Sequence, residues 1–272
     1  MLSEYRQKVL ARIKESEEKQ LWDNEVEDNP PSKVLEPDKV DYLNKKLRSK
    51  FLTWFANRQA VKFYEKLIKN GDFIIKQVNG LENYRKVQGG AFITCNHFSV
   101  LDNYAVYRTL REDLGKRRLY KVIKEGNYTS FEGLFGLMFR HCNTLPLSSN
   151  LKTMKKLLNA IEVLIQRGDK ILIYPEQAMW WNYKKPRPMK KGAFNLASKF
   201  KVPIIPAFIT MEDNAKLDGD GYPVQEFTVW FLPPIYPKKE LNDAQNAEYL
   251  KEENYKAWKE LYERVYKTAL TY

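Results

Sequence analysis

Two histidines occur in 272 residues, and one of them stands in "NHFSVLD" (96–102), where Asp102 follows His97 at a spacing of five. An imidazole titrates near neutrality and can take a proton from an attacking hydroxyl. A carboxylate at its second nitrogen would fix the tautomer and stabilise the imidazolium. The apolar run "AFITC" (91–95) immediately precedes the pair, and a helical stretch (102–111) follows it. This predicts His97 just past the carboxyl end of a buried strand, where open α/β sheets place their ligand crevices. Spacing alone equally allows a helix-entry histidine and an N-terminal acid favoured by the helix dipole.

Other chemistries use the same residues less well. Cys95, His97, His141 and Cys142 are the chain's only Cys and His residues, enough in number for a tetrahedral zinc site. However, Cys95 lies in an apolar strand, and adjacent residues 141 and 142 seldom converge on one ion. A cysteine hydrolase would need a reactive thiol, and a thiol buried in a strand is inert packing. Ser99 suits a turn or helix cap better than a nucleophile.

The elements that would hold this junction follow from the pattern of short apolar runs. Besides 91–95 these are "DFIIKQV" (72–78), "LYKVIK" (119–124), "KILIYP" (170–175), "VPIIPAFIT" (202–210) and "FTVWFLP" (227–233). Helical stretches at 102–111, 151–167 and 191–200 alternate with them. The fold class expected is α/β, a mostly parallel central sheet flanked by helices. Residues 244–270 read as an amphipathic C-terminal helix, with Tyr255, Trp258, Tyr262, Val265 and Tyr266 at three- and four-residue spacings. Upstream, 1–22 reads as a charged helix, 23–38 as an acidic, Pro-containing linker, and 40–69 as a helix. The last carries an apolar stripe of Leu43, Leu47, Phe51, Phe55 and Leu67, with Trp54.

Charge narrows the partners. The net charge is +12, but residues 1–40 carry −3, leaving +15 on the remainder. A basic body suits an anionic partner: nucleic acid, a lipid surface or a phosphorylated small molecule. Nucleic acid is the weaker of these, because the basic residues follow no recognised nucleic-acid motif. No apolar run approaches the ~18–20 residues needed to span a bilayer. The N-terminus lacks the apolar core of a signal peptide, and two cysteines make no disulfide framework. A cytoplasmic location is expected.

Four further segments give the His–Asp pair a context. "NHFSVLD" is similar to the His-x4-Asp motif of the glycerolipid acyltransferases, which include the 1-acylglycerol-3-phosphate acyltransferases. "VNGLENYRKVQGGAFITCNH" (78–97) resembles that family's approach to the motif. "GDKILIYPEQAMW" (168–180) resembles its strand leading to Phe-Pro-Glu-Gly-Thr-Arg, "KKGAFNLA" (190–197) its Lys-Gly-Ala-Phe helix start, and "KVPIIPAFI" (201–209) its later Val-Pro-Ile-Ile-Pro strand. The segments come in the family's order over roughly 75–235.

The resemblance implies an acyltransferase domain at 71–272 behind a helical extension and linker at 1–70. It implies acyl transfer from acyl-CoA or acyl-carrier protein to a hydroxyl of a lipid acceptor, with His97 as base, Asp102 as its orienter and no further cofactor. The location implied is peripheral, on the inner face of the membrane. Two departures bear on the acceptor. The family's Glu-Gly-Thr-Arg reads Glu176-Gln177-Ala178-Met179, and the Arg of its second block falls at Ser149, in "PLSS". Bidentate phosphate donors are therefore missing, so either nearby cations replace them or the acceptor is not a simple glycerol phosphate. Glu176 and the cations Lys184, Lys185, Arg187, Lys190 and Lys191 are the remaining candidates for binding acceptor or donor, unless the run is simply a solvated face. "MWWNY" (179–183) is expected to line a groove or meet a membrane, since two adjacent Trp residues cannot easily both point inward. "FEGLFGLMFR" (131–140) reads as a groove wall or a buried helix.

Overall fold

A computed structural model describes residues 2–272. Seven strands form one sheet: β1 (Ile74–Asn79), β2 (Ala91–Thr94), β3 (Leu119–Ile123), β4 (Thr144–Pro146), β5 (Lys170–Ile173), β6 (Ile204–Leu217) and β7 (Pro223–Phe231). Their order is β1-β7-β6-β2-β5-β3-β4, and every neighbouring pair is parallel except β6 and β7. The expected α/β class is the one observed. β2 and β5 lie inside the sheet and are buried throughout, which is why they read as unbroken apolar runs.

Side chains alternate between the two faces of the sheet. Ile93, Cys95, Leu172 and Ile205 face one core, closed by α2 (Leu47–Lys69), α4 (Asp102–Leu114) and α6 (Gly133–His141). Phe92, Ile171, Ile173 and Phe208 face the other, closed by α7 (Leu151–Gln166), α8 (Gly192–Lys199) and α9 (Asp243–Tyr266). Short helices α3 (Leu81–Arg85) and α5 (Glu125–Ser130) fill connections, and α1 (Glu4–Glu18) lies at the N-terminus.

Three features depart from the sequence pattern. Strand β4 has only three residues, too few to show a period. β6 continues to Leu217 through "EDNAKL", whose side chains are mostly exposed, because β7 supplies an antiparallel ladder there. The third concerns α2, which begins at Leu47 rather than residue 40. Most of its expected apolar stripe does not face the core: Leu47, Phe51, Trp54 and Phe55 are exposed and, of the stripe within the helix, only Leu67 packs inward, while Thr53, Ala56, Ala60 and Tyr64 are buried. Val40 and Tyr42, upstream of the helix, pack instead into the core beneath α7, and the Tyr42 hydroxyl donates to the Pro146 carbonyl at 2.9 Å.

The acidic N-terminal segment covers the body. Val9 and Ile13 of α1, with Trp22 and Val26, form a third apolar cluster with Ala178, Trp180 and Trp181. Among the described residues, no helix is long and apolar enough to cross a membrane.

Candidate active site

His97 and Asp102 sit where the strand–turn–helix junction was expected to put them. β2 ends at Thr94, and Asp102 is the first residue of α4. The His97 Nδ1 lies 2.7 Å from Asp102 Oδ2. Asp102 is fully buried, and donors surround it. Oδ2 also accepts from the backbone N–H groups of Phe98 (3.2 Å) and Ser99 (3.3 Å), and Oδ1 accepts from the Tyr174 hydroxyl at 2.6 Å. A carboxylate removed from water keeps its charge only with such compensation. Ser99 proves to be a turn residue, its Oγ accepting from the Leu101 N–H.

The imidazole is held from a second direction by Tyr174, one residue beyond β5. The two rings stack with centroids 4.0 Å apart and planes at 20°. Burial, and then the Asp102 charge, push the Tyr174 phenol well above its ordinary pKa, so it remains a neutral donor. Nothing in the sequence singled out Tyr174. The one available signal was a hydroxyl at the end of an apolar strand, where the resembling motif carries Phe.

Glu176 and Arg187 lie beneath the site. Glu176 Oε2 accepts the His97 N–H at 3.0 Å and Oε1 accepts the Arg187 N–H at 2.8 Å. The Arg187 guanidinium returns to Glu176 at 3.0 Å, donates to the carbonyls of Trp22 and Ala178, and stacks on Trp180. Both side chains are almost wholly buried. They form a floor that binds the His97 loop, the turn after β5 and the N-terminal segment into one piece. They are not displayed to a ligand.

The four candidate lysines are each paired with an acid: Lys184 with Asp213 (3.3 Å), Lys185 with Glu17 (2.5 Å), Lys190 with Asp23 (2.8 Å) and Lys191 with Glu248 (2.6 Å). Only Lys190 of this group lines the cavity described below. Ser149, at the family's second Arg position, donates to Glu125 at 2.9 Å. The expectation for "MWWNY" is corrected. Trp180 and Trp181 are both buried, because α1 and the chain after it cover the face that would otherwise be open. A covering segment some 160 positions away in sequence is invisible to local pattern.

A cavity of about 800 Å³ opens at His97, inside the ~300–1,000 Å³ usual for small-molecule sites. Its walls are mainly apolar. Tyr64, Tyr104, Tyr107 and Met138 line the side under α2, α4 and α6, and Met154, Leu157, Ile161 and Leu196 line the side under α7 and α8. Phe131, Phe135 and Phe139 of the "FEGLFGLMFR" stretch are part of the wall, and Glu25, Glu27 and Asp28 stand at one border. The His97 side chain is 22% exposed, and among the described residues its Nε2 has no hydrogen-bond partner. Cys95 is fully buried, and burial raises its thiol well above the usual range, so it supplies no nucleophile here.

A part-exposed histidine backed by a buried aspartate, on a strand–helix junction that opens on an apolar cavity, is an arrangement able to do general-base chemistry on an apolar substrate. The comparisons name the class. Residues 76–210 match the acyltransferase family model, and through this core the chain belongs to that family. The solved structures to which it is similar include the 1-acyl-sn-glycerophosphate (LPA) acyltransferase PlsC of Thermotoga maritima, at 16% identity and a TM-score of 0.48, over 85% of this chain and 100% of that one. No curated protein matches the sequence.

Proposed function

We propose that this acyltransferase moves a fatty acyl group from a thioester, acyl-CoA or acyl-carrier protein, to a hydroxyl of a lysophospholipid-type acceptor, 1-acylglycerol-3-phosphate being the first candidate. The observation that carries this reading is the His97–Asp102 pair at 2.7 Å, with the unbonded Nε2 side of the ring at an apolar cavity. His97 Nε2 takes the acceptor's proton as its oxygen attacks the thioester carbonyl. The imidazolium formed is stabilised by Asp102. As the tetrahedral oxyanion collapses, the carbon–sulfur bond breaks and the proton passes to the departing thiolate. A thioester is already activated, so deprotonation, positioning and water exclusion are the protein's main tasks.

The lipid substrates reach the site from a membrane face, and α2 supports this. Leu47, Phe51, Trp54 and Phe55 form an exposed apolar stripe, with Lys46, Arg48, Lys50 and Arg58 near it in sequence. Aromatic and apolar side chains beside cations suit an anionic lipid surface. Phe135 of α6, itself exposed and in contact with Phe63 of α2, joins this stripe to the cavity wall. In this reading the enzyme is peripheral on the inner, cytoplasmic face of the membrane.

The test is acceptor-dependent release of free thiol from acyl-CoA. Release that requires lysophosphatidate, with formation of the diacyl product, supports the proposal. Equal release with and without any acceptor contradicts it.

A further inference from the structure

The cavity holds three lysines, and one of them differs from the others. Lys124 is paired with Glu25 and Lys190 with Asp23. Lys121 lines the same cavity and, among the described residues, has neither an acidic partner nor a hydrogen bond from its ammonium. Elsewhere in the sheet, buried Lys170 donates to the backbone carbonyls of Val87 and Gly89 and lies over the Tyr84 ring. The chain can therefore satisfy a buried ammonium and does so there. Burial lowers the Lys121 pKa, and the Cys142 thiol, which lines the same cavity, offsets this only in part. An unpaired cation in apolar surroundings costs stability, and methionine or leucine would fit the strand better.

Its register places it two residues along the neighbouring strand from the tyrosine that carries the imidazole. Lys121 pairs with Leu172, two residues before Tyr174, whose ring carries the imidazole of His97. Alternation along parallel strands sends Lys121, Leu172 and Tyr174 to one face, with the Lys121 and Tyr174 Cα atoms roughly 8 Å apart. A substrate with its hydroxyl at His97 Nε2 and an anion a few bonds away spans that separation. The two family arginines are absent here, and Glu176, Arg187 and Ser149 are committed to other contacts.

We infer that Lys121 is the acceptor-specificity residue, its ammonium receiving a phosphate monoester that the acceptor carries within a few bonds of the acylated hydroxyl. This rests on the acyl-transfer reading above. The ligand supplies the counter-ion that the fold withholds, which explains a lysine at a position flanked on its own face by Leu119 and Ile123. A point-charge ammonium gives one strong contact without the planar fork of arginine, so it recognises charge more than orientation.

The experiment compares the full-length protein and Lys121→Met with a long-chain acyl-CoA as donor. The acceptors are lysophosphatidate and the monoacylglycerol of the same chain. The ratio of kcat/KM for the phosphorylated over the neutral acceptor should fall roughly tenfold or more in Lys121→Met, the size expected for one charge-assisted contact. Lys121→Arg should retain more of the ratio than Met does. Thermal shift without donor gives an independent readout: lysophosphatidate should raise the Tm of the wild type and not of Lys121→Met, whose own Tm should not fall. An unchanged ratio, or equal stabilisation of both proteins or of neither, overturns the inference. If no acceptor is acylated yet lysophosphatidate stabilises only the wild type, the anion site stands and the proposed reaction fails.

Discussion

The Tyr174 hydroxyl donates to Asp102 at 2.6 Å while the same ring stacks against His97 at 4.0 Å. One side chain therefore orients both members of the pair. Tyr174→Phe keeps the stacking and removes a charge-assisted hydrogen bond to the Asp102 carboxylate, so kcat/KM should fall by roughly tenfold. Tyr174→Leu, which loses the stacked ring as well, should fall further. Steady-state kinetics of the two variants check this, and equal losses would assign Tyr174 to packing alone.

Glu176 and Arg187 test the floor of the site. Both are almost wholly buried, so removing one partner strands the other's charge. Glu176→Gln and Arg187→Met should each destabilise by about 3–5 kcal/mol, and the double variant by less than the sum. Urea denaturation of the three variants measures this. Additive losses would show that the two side chains act independently.

The exposed stripe on α2 should govern membrane association. Phe51→Asp with Trp54→Asp should reduce co-sedimentation with anionic phospholipid vesicles and leave the unfolding free energy within about 1 kcal/mol of wild type, because neither side chain is in the core. Unchanged vesicle binding would place the lipid contact elsewhere on the surface.

How much of this was legible in the sequence depends on the range of the interactions. "AFITC" and "KILIYP" read correctly because central parallel strands are apolar on both faces. The placement of His97 beside Asp102 was legible because strand end, turn and helix start lie within one short segment. Their pairing with Tyr174, and the union of Glu176 with Arg187, depend on strand neighbours and on a turn that no local pattern encodes. The same holds for Trp180 and Trp181, whose burial needs α1, and for α2, where an amphipathic period shows a stripe without showing which side meets the core. Lys121 was concealed for the opposite reason. It lies in a run that otherwise reads as a strand, and only the cavity reveals that its charge is unanswered.

The most direct measurement is acceptor-dependent thiol release from acyl-CoA by purified His97→Ala, beside the wild type and with circular dichroism to confirm an unchanged fold. Loss of the general base should cut the rate by roughly 10²–10⁴-fold. Folded His97→Ala that transfers acyl groups at the wild-type rate would contradict the assignment of His97 as the base.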